Sequence, residues 1–202
     1  MFIEIKASKS SLGRRKSLHG VGVNDADYMV SYKVDGKKLI CPYYKRWHSM
    51  LTRCYSSKYH DRQPTYKDCS VSDSWLVFSN FRLWMEKQDF TGKALDKDVL
   101  TQGNKIYSES TCVFISQELN NLLCDSVYNN SGLPKGVSLN RQTGKFVSEC
   151  KNKGKKVYLG CYKTTKEAHD VYKEFKLSVI RAIAKNQQSN VKTALLNYKI
   201  VE

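Results

Sequence analysis

Residues 135–168 read KGVSLNRQTGKFVSECKNKGKKVYLGCYKTTKEA, and this stretch decides the fold of the C-terminal part of the chain. Three runs have strand character: Gly136–Leu139, Lys145–Lys151 and Lys155–Tyr162. The turn-forming segments Asn140–Gly144 and Asn152–Gly154 separate them, which predicts an antiparallel meander. In the second run Lys145, Val147, Glu149 and Lys151 fall on one face, and Phe146, Ser148 and Cys150 on the other. In the third, Lys156, Tyr158 and Gly160 oppose Val157, Leu159 and Cys161. Thr164-Thr165-Lys166-Glu167 has the Thr-x-x-Glu form of a capping box and starts a helix. Ala168, Val171, Tyr172 and Phe175 give that helix an apolar face. One sheet face packs on the helix. The other is cationic with one aromatic, and between Ser131 and Lys163 there are eight Lys or Arg against one Glu. Such a face is either a solvated polar surface or one that meets a polyanion. A three-stranded sheet can enter the major groove of DNA.

The charge of the whole chain points the same way. The 202 residues hold 34 Lys and Arg against 19 Asp and Glu, a formal charge of +15. A hydrophobic fraction of 41% is enough for a core and argues against a disordered polycation. The surplus cations favour nucleic acid or an anionic membrane surface as partner. No apolar run approaches the ~18–20 residues that span a bilayer, so no membrane is expected. The N-terminus lacks the ~7–15-residue apolar core of a secretory signal, which places the chain in the cytoplasm. Seven cysteines, an odd number without any Cys-x-x-Cys, read as reduced thiols. Cys41, His48, Cys54, His60 and Cys69 are spaced too widely for the closely paired ligands of structural zinc.

Upstream, residues 1–19 are polar and basic and read as a flexible arm. Tyr28–Val34 and Leu39–Cys41 flank Asp35-Gly36, a hairpin signal. Pro42 opens a helix with Tyr44, Trp47, Leu51 and Cys54 on one face, followed by a loop over Ser56–Tyr66. A second helix is expected from Asp73, its cap, to about Lys87, with Trp75, Phe78, Phe81 and Met85 as its core stripe. Two short segments then surround a polar loop, Leu100–Ser110, and a helix carrying Leu119, Leu122 and Leu123 begins near Ser116. Ser126–Gly132 reads as a linker, and Val191–Tyr198 as a last short helix. The division expected is an arm over 1–19, a module over 20–128 and a module over 129–202.

Two resemblances sharpen this reading. Lys135-Gly136-Val137, Gly144-Lys145-Phe146, Tyr158-Leu159-Gly160 and Glu167-Ala168 resemble an AP2/ERF-type DNA-binding domain over roughly 133–180. That resemblance implies a sheet in the major groove, with Lys135, Ser138, Asn140, Lys145, Glu149, Lys151, Lys156 and Tyr158 toward DNA. Arg and Trp, frequent in that family, are replaced here by Ser138 and Asn140, which lowers the expected base specificity. Upstream, Trp47, Met50, Arg53-Cys54-Tyr55, Trp75, Phe78, Phe81, Leu95-Asp96, Gly103-Asn104, Tyr107-Ser108, Cys112 and Asn120 resemble the HNH (His-Me finger, ββα-metal) nucleases of phages, some of which act as homing endonucleases. The two modules occur together in phage-borne endonucleases.

The residues that can carry chemistry are Asp96, Lys97, Asp98, Asn104 and Asn120. A carboxylate on a strand and an amide on the following helix can hold one hard divalent ion, Mg²⁺ or Mn²⁺, with Asp96, Asp98 and Asn120 as ligands. Such an ion stabilises the leaving oxygen of a phosphodiester. HNH motifs place a His as general base on the first strand, and here none is present. Either Asp96 is the metal carboxylate with Lys97 in the place of His, or Asp96 replaces His and Asp98 is the ligand. His19 and His60 are the histidines that could approach from loops. The expectation is an α+β chain: an HNH-like module followed by an AP2-like sheet and helix. It acts as a metal-dependent endonuclease on duplex DNA, without an obligate protein partner. The alternative is a catalytically inactive HNH-fold protein that binds DNA in a regulatory or blocking role. RNA binding and the blocking of a protein partner are further uses of the same basic surface.

Overall fold

A computed structural model of the chain describes residues 2–124 and 132–200. The linker expected over Ser126–Gly132 lies, apart from Gly132, outside the described residues. The architecture is α+β, in two compact units, Met1–Phe114 and Ile115–Glu202. The boundary thus falls inside a strand rather than after residue 128, and the helix of Leu119 belongs to the second unit.

In the first unit the basic segment is not a free arm. A short helix, α1 (Lys9–Gly13), is capped by Ser8, whose hydroxyl accepts from the Ser11 N–H. The Ala7 N–H donates to the Asp27 carbonyl and the Met29 N–H to the Ile5 carbonyl. The Arg15 guanidinium donates to the carbonyls of Asn24, Ala26 and Tyr28. Arg15 fixes this segment because a planar five-donor fork can collect several carbonyls at once.

The hairpin forms as β1 (Ser31–Val34) and β2 (Lys37–Ile40), antiparallel. Its two turn residues, Asp35 and Gly36, have φ of 47° and 76°. Positive φ at both is what a tight two-residue hairpin needs. Helix α2 (Pro42–Tyr55) follows, with Trp47, Met50, Leu51 and Cys54 buried. Where the sequence suggests a loop, Ser56 caps a further helix, α3 (Ser57–Arg62), and a 3₁₀ turn spans Pro64–Tyr66. After β3 (Ser70–Val71), the single long helix expected from Asp73 is two: α4 (Asp73–Leu76) and α5 (Phe78–Glu86). Val23 causes the break. Its N–H donates to the Leu76 carbonyl and its carbonyl accepts from the Phe78 N–H, so Val77 is held extended. Asp73 lies in the first turn rather than at the cap, which is Ser72.

The core of this unit is aromatic. Trp47, Trp75, Phe78, Phe81 and Trp84 are all buried, and the Trp47 indole donates to the Trp75 carbonyl at 2.7 Å. The wide α2 and α5 stripes bury against each other, which places the following chain. Strand β4 (Lys93–Asp96) leads into a loop, β5 (Ile106–Tyr107) pairs in parallel with β3, and β6 (Val113–Ser116) pairs with β4.

The second unit begins with α6 (Gln117–Leu123), capped by the Ser116 hydroxyl. Its sheet is the expected meander: β7 (Val137–Asn140), β8 (Lys145–Asn152) and β9 (Lys155–Tyr162), in the order β7-β8-β9 and antiparallel throughout. Helix α7 (Thr165–Ala184) starts at the complete Thr164–Glu167 capping box and buries Ala168, Tyr172, Lys176, Ile180 and Ala184. These recur every four residues, one stripe of a helix. Helix α8 (Ser189–Leu196) packs back on α7 through Val191 and Leu195. Among the described residues no helix is long and apolar enough to cross a membrane.

Candidate functional site

The sheet of the second unit is built so that its two faces differ in kind. Val137, Ser148 and Cys150 are buried toward α7. Directly opposed pairs fix the other face: Ser138 with Val147, Asn140 with Lys145, Glu149 with Tyr158, and Lys151 with Lys156. Lys145, Lys151, Lys156 and Tyr158 are exposed there, Tyr158 at 63%. Glu149 and Lys156 form an ion pair at 3.1 Å. Lys151 and Lys156, directly across the ladder, are like charges side by side, an arrangement that weakens a sheet.

The register carries one feature the alternation missed. Glu149 faces Tyr158 but Ser148 faces Gly160, so Leu159 is an extra residue and β9 bulges there. Beyond the bulge the faces exchange. Gly160 turns to the helix side and Cys161, exposed, to the outer side. Gly160 has φ 130°, and a Cβ there would meet the Tyr162 hydroxyl at 2.6 Å. A glycine inside a strand is the sequence signal for such a bulge.

Two of the residues expected to face DNA have other partners. The Lys135 ammonium donates to the Cys124 carbonyl at 2.8 Å, and the Lys135 carbonyl meets His169 Nδ1 at 2.9 Å. Asn140 Oδ1 accepts from the N–H groups of Gln142 and Thr143, which makes it the pivot of the β7–β8 turn. Ser138 stays exposed on the outer face.

In the first unit the chemistry lies in the turn that leaves β4. Asp96 Oδ1 accepts from the N–H of Asp98 at 2.9 Å and of Val99 at 2.7 Å. This side-chain cap folds the chain back on itself and leaves two carboxyl groups two residues apart. Burial, and then the Asp98 charge, push the Asp96 carboxyl up to about 6. Lys97 is 7% exposed. Its ammonium donates to Asp98 Oδ2 at 2.9 Å and to the Asn104 carbonyl at 2.8 Å. Burial lowers its pKa, and the Asp98 carboxylate more than reverses that, so it stays above the ordinary lysine value. Lys97 is thus held as an ammonium between these two acceptors.

Asn104 is likewise engaged with the backbone. Its amide donates to the carbonyls of Lys97 at 2.6 Å and Ile106 at 2.8 Å, and its Oδ1 accepts from the Ile106 N–H. Every polar atom of that side chain closes the loop between β4 and β5. Asn120 lies on α6 in the second unit, where its amide donates toward Cys124 Sγ.

The histidines are elsewhere. His19 Nε2 and His48 Nδ1 both meet Thr52 Oγ1, at 3.1 and 3.4 Å. His60 Nε2 meets the Arg53 carbonyl at 2.8 Å. Cys41 lies 3.5 Å from the Tyr28 hydroxyl. Cys54 and Cys112 are buried, and burial pushes both thiols up to about 12.

Among the described residues no group of three or more His, Cys, Asp or Glu is placed to hold a metal ion. Mg²⁺ commonly takes one or two carboxylates and completes its shell with water and substrate phosphate, and the Asp96–Asp98 pair is a donor set of that kind. Three comparisons set beside this geometry return nothing: no family model, no curated protein and no solved structure matches the chain.

Proposed function

We propose that the chain binds duplex DNA through the outer face of β7–β9 and acts on it as a metal-dependent endonuclease at the Asp96–Asp98 turn. The observation that carries the DNA reading is the cationic outer face, on which Lys156 is paired with Glu149 while Lys145 and Lys151 have no ion-pair partner among the described residues. Lys145, Lys151 and Lys156 project with Tyr158 on the side of the sheet away from α7. Phosphates satisfy such a face, and a solvated surface gains nothing from opposing two lysines.

The cleavage reading rests on the acidic turn. In this reading Asp98 would hold one Mg²⁺ or Mn²⁺, which would supply charge stabilisation at the scissile phosphate. A carboxyl that titrates near 6 suits a general base at neutral pH better than an ordinary aspartate does. This favours Asp96 in the place of the HNH histidine and Asp98 as the ligand. Lys97, held as a cation, is suited to the phosphate rather than to proton transfer.

A second reading, a DNA-binding protein that does not cleave, is favoured by the absence of any imidazole hydrogen-bonded at the turn among the described residues. Relaxation of supercoiled plasmid by the purified protein in Mg²⁺ or Mn²⁺, against EDTA, separates the two. Metal-dependent nicking that disappears in Asp98→Ala while DNA binding persists supports the nuclease. Tight binding without cleavage in either metal selects the binding protein.

A further inference from the structure

The β1–β2 hairpin repeats, in the first unit, the charge arrangement of the outer sheet face. Lys33 and Lys38 are direct cross-strand partners, and Lys37 is paired with Val34 at the turn. All three lysines are exposed, as is every residue from Lys33 to Lys38. None of the three has an ion-pair partner among the described residues. Asp35 at the tip is the only acid in the ribbon.

Two ammonium groups directly opposed on a two-stranded ribbon oppose folding, and an isolated hairpin is marginal to begin with. The structure compensates at the base. The Cys41 N–H donates to the Val30 carbonyl. The Tyr32 hydroxyl accepts from the Ile3 N–H and donates to the Ile3 carbonyl, each at 2.9 Å. Tyr32 and Leu39 share the face turned to that anchor, so Lys33 and Lys38 share the opposite one. The positive-φ Asp35-Gly36 turn holds the far end. The ribbon is thus anchored at its base, solvent-exposed on its distal half and cationic on both faces there, with nothing apolar on that half except Val34. A two-stranded ribbon of this kind fits the major groove, and its lysines reach phosphate oxygens.

We infer that the β1–β2 hairpin is a second contact with duplex DNA, in which Lys33, Lys37 and Lys38 engage backbone phosphates. This rests on the DNA-binding reading given above for the β7–β9 sheet, and it adds a grip from the other unit. The contact is with phosphate, so it contributes affinity and little base preference.

Lysine acetylation of the full chain, read by mass spectrometry with and without a saturating duplex, tests it directly. The expected result is protection of Lys33, Lys37 and Lys38 together with Lys145, Lys151 and Lys156. Protection of the sheet lysines alone overturns the hairpin contact and leaves the sheet reading intact. Protection of neither set removes both. Hairpin protection by phosphatidylserine vesicles but not by DNA overturns the assignment in favour of a membrane surface.

Two variants give the energetic counterpart. Lys33→Ala with Lys38→Ala should make the slope of log K against log salt shallower by about 2, one per lost phosphate contact. Lys33→Glu should keep or raise the melting temperature, since it turns a repulsive cross-strand pair into an attractive one. The same change should weaken DNA binding by more than the alanine at that position. A Lys33→Glu protein that melts normally and binds as tightly as the unmodified chain excludes the contact.

Discussion

Asp96 accepts two backbone N–H bonds and still titrates near 6, because burial and the Asp98 charge outweigh them. The sign of its pH effect follows. The folded value lies above the ordinary 3.8, so protonation favours the folded chain. That contribution is fully present below about 3.8 and is lost as the pH rises through about 6, an effect on the order of 3 kcal/mol. Asp96→Asn keeps the acceptor oxygen and removes the charge. In EDTA its melting temperature should exceed that of the unmodified chain at pH 7.5, with the difference closing toward pH 4. Equal melting curves at both pH values would mean that the carboxyl is not strained. At this scale the sequence picked out the neighbouring carboxylates but not the hydrogen bonds that hold the turn. Asp96 and Asp98 were legible as neighbouring carboxylates, since two residues of separation bring them close in any turn. The loop-closing bonds of Asn104 were not legible, because its three partners are backbone groups of Lys97 and Ile106, fixed only once the loop between them closes. Lys97 could not be read as a fixed ammonium without the Asn104 carbonyl that binds it.

Gly136, immediately before β7, lies against the Tyr172 ring of α7. A Cβ there would lie 2.1 Å from the Tyr172 ring, and its φ of 77° is one that L side chains rarely adopt. Gly136→Ala should therefore destabilise the second unit by about 2–4 kcal/mol, from backbone strain and displacement of a buried ring. Urea denaturation followed by the signal of that unit checks this, and a loss under 1 kcal/mol would show that Tyr172 moves aside freely. The elements of this unit were legible because local chemistry decides them: turns between alternating runs, then the Thr164–Glu167 capping box. In the first unit the α4–α5 break depends on Val23, more than fifty residues upstream of the expected helix midpoint only in sequence and adjacent in space. No periodicity within 73–87 contains that bridge. The same holds for Arg15, whose three carbonyl partners turn an apparent arm into part of the unit. At Leu159 the alternation failed for a different reason, since one extra residue in β9 exchanges the faces beyond it.

A chain of charge +15 with cations concentrated on an exposed sheet face should bind DNA largely by displacing counterions. If about six phosphates are neutralised, log K against log salt should fall with a slope of about −5, at ~0.9 per phosphate. The slope counts contacts, so it also apportions them among surfaces. Replacing Lys145, Lys151 and Lys156 together by Ala removes three exposed cations from the face away from α7, where no core packing depends on them. The triple variant should melt within a few degrees of the unmodified chain and lose about 3 from the slope, leaving about −2. Alanine relieves the Lys151–Lys156 repulsion and breaks the exposed Glu149–Lys156 pair, two small opposing effects on the fold, so the melting temperature is read beside the affinity. Fluorescence anisotropy of a labelled duplex across a salt series measures both quantities on the same samples. An unchanged slope in a folded triple variant would move the principal DNA surface away from β7–β9. A slope near zero in the unmodified chain would remove counterion displacement, and with it the electrostatic basis for a nucleic-acid partner.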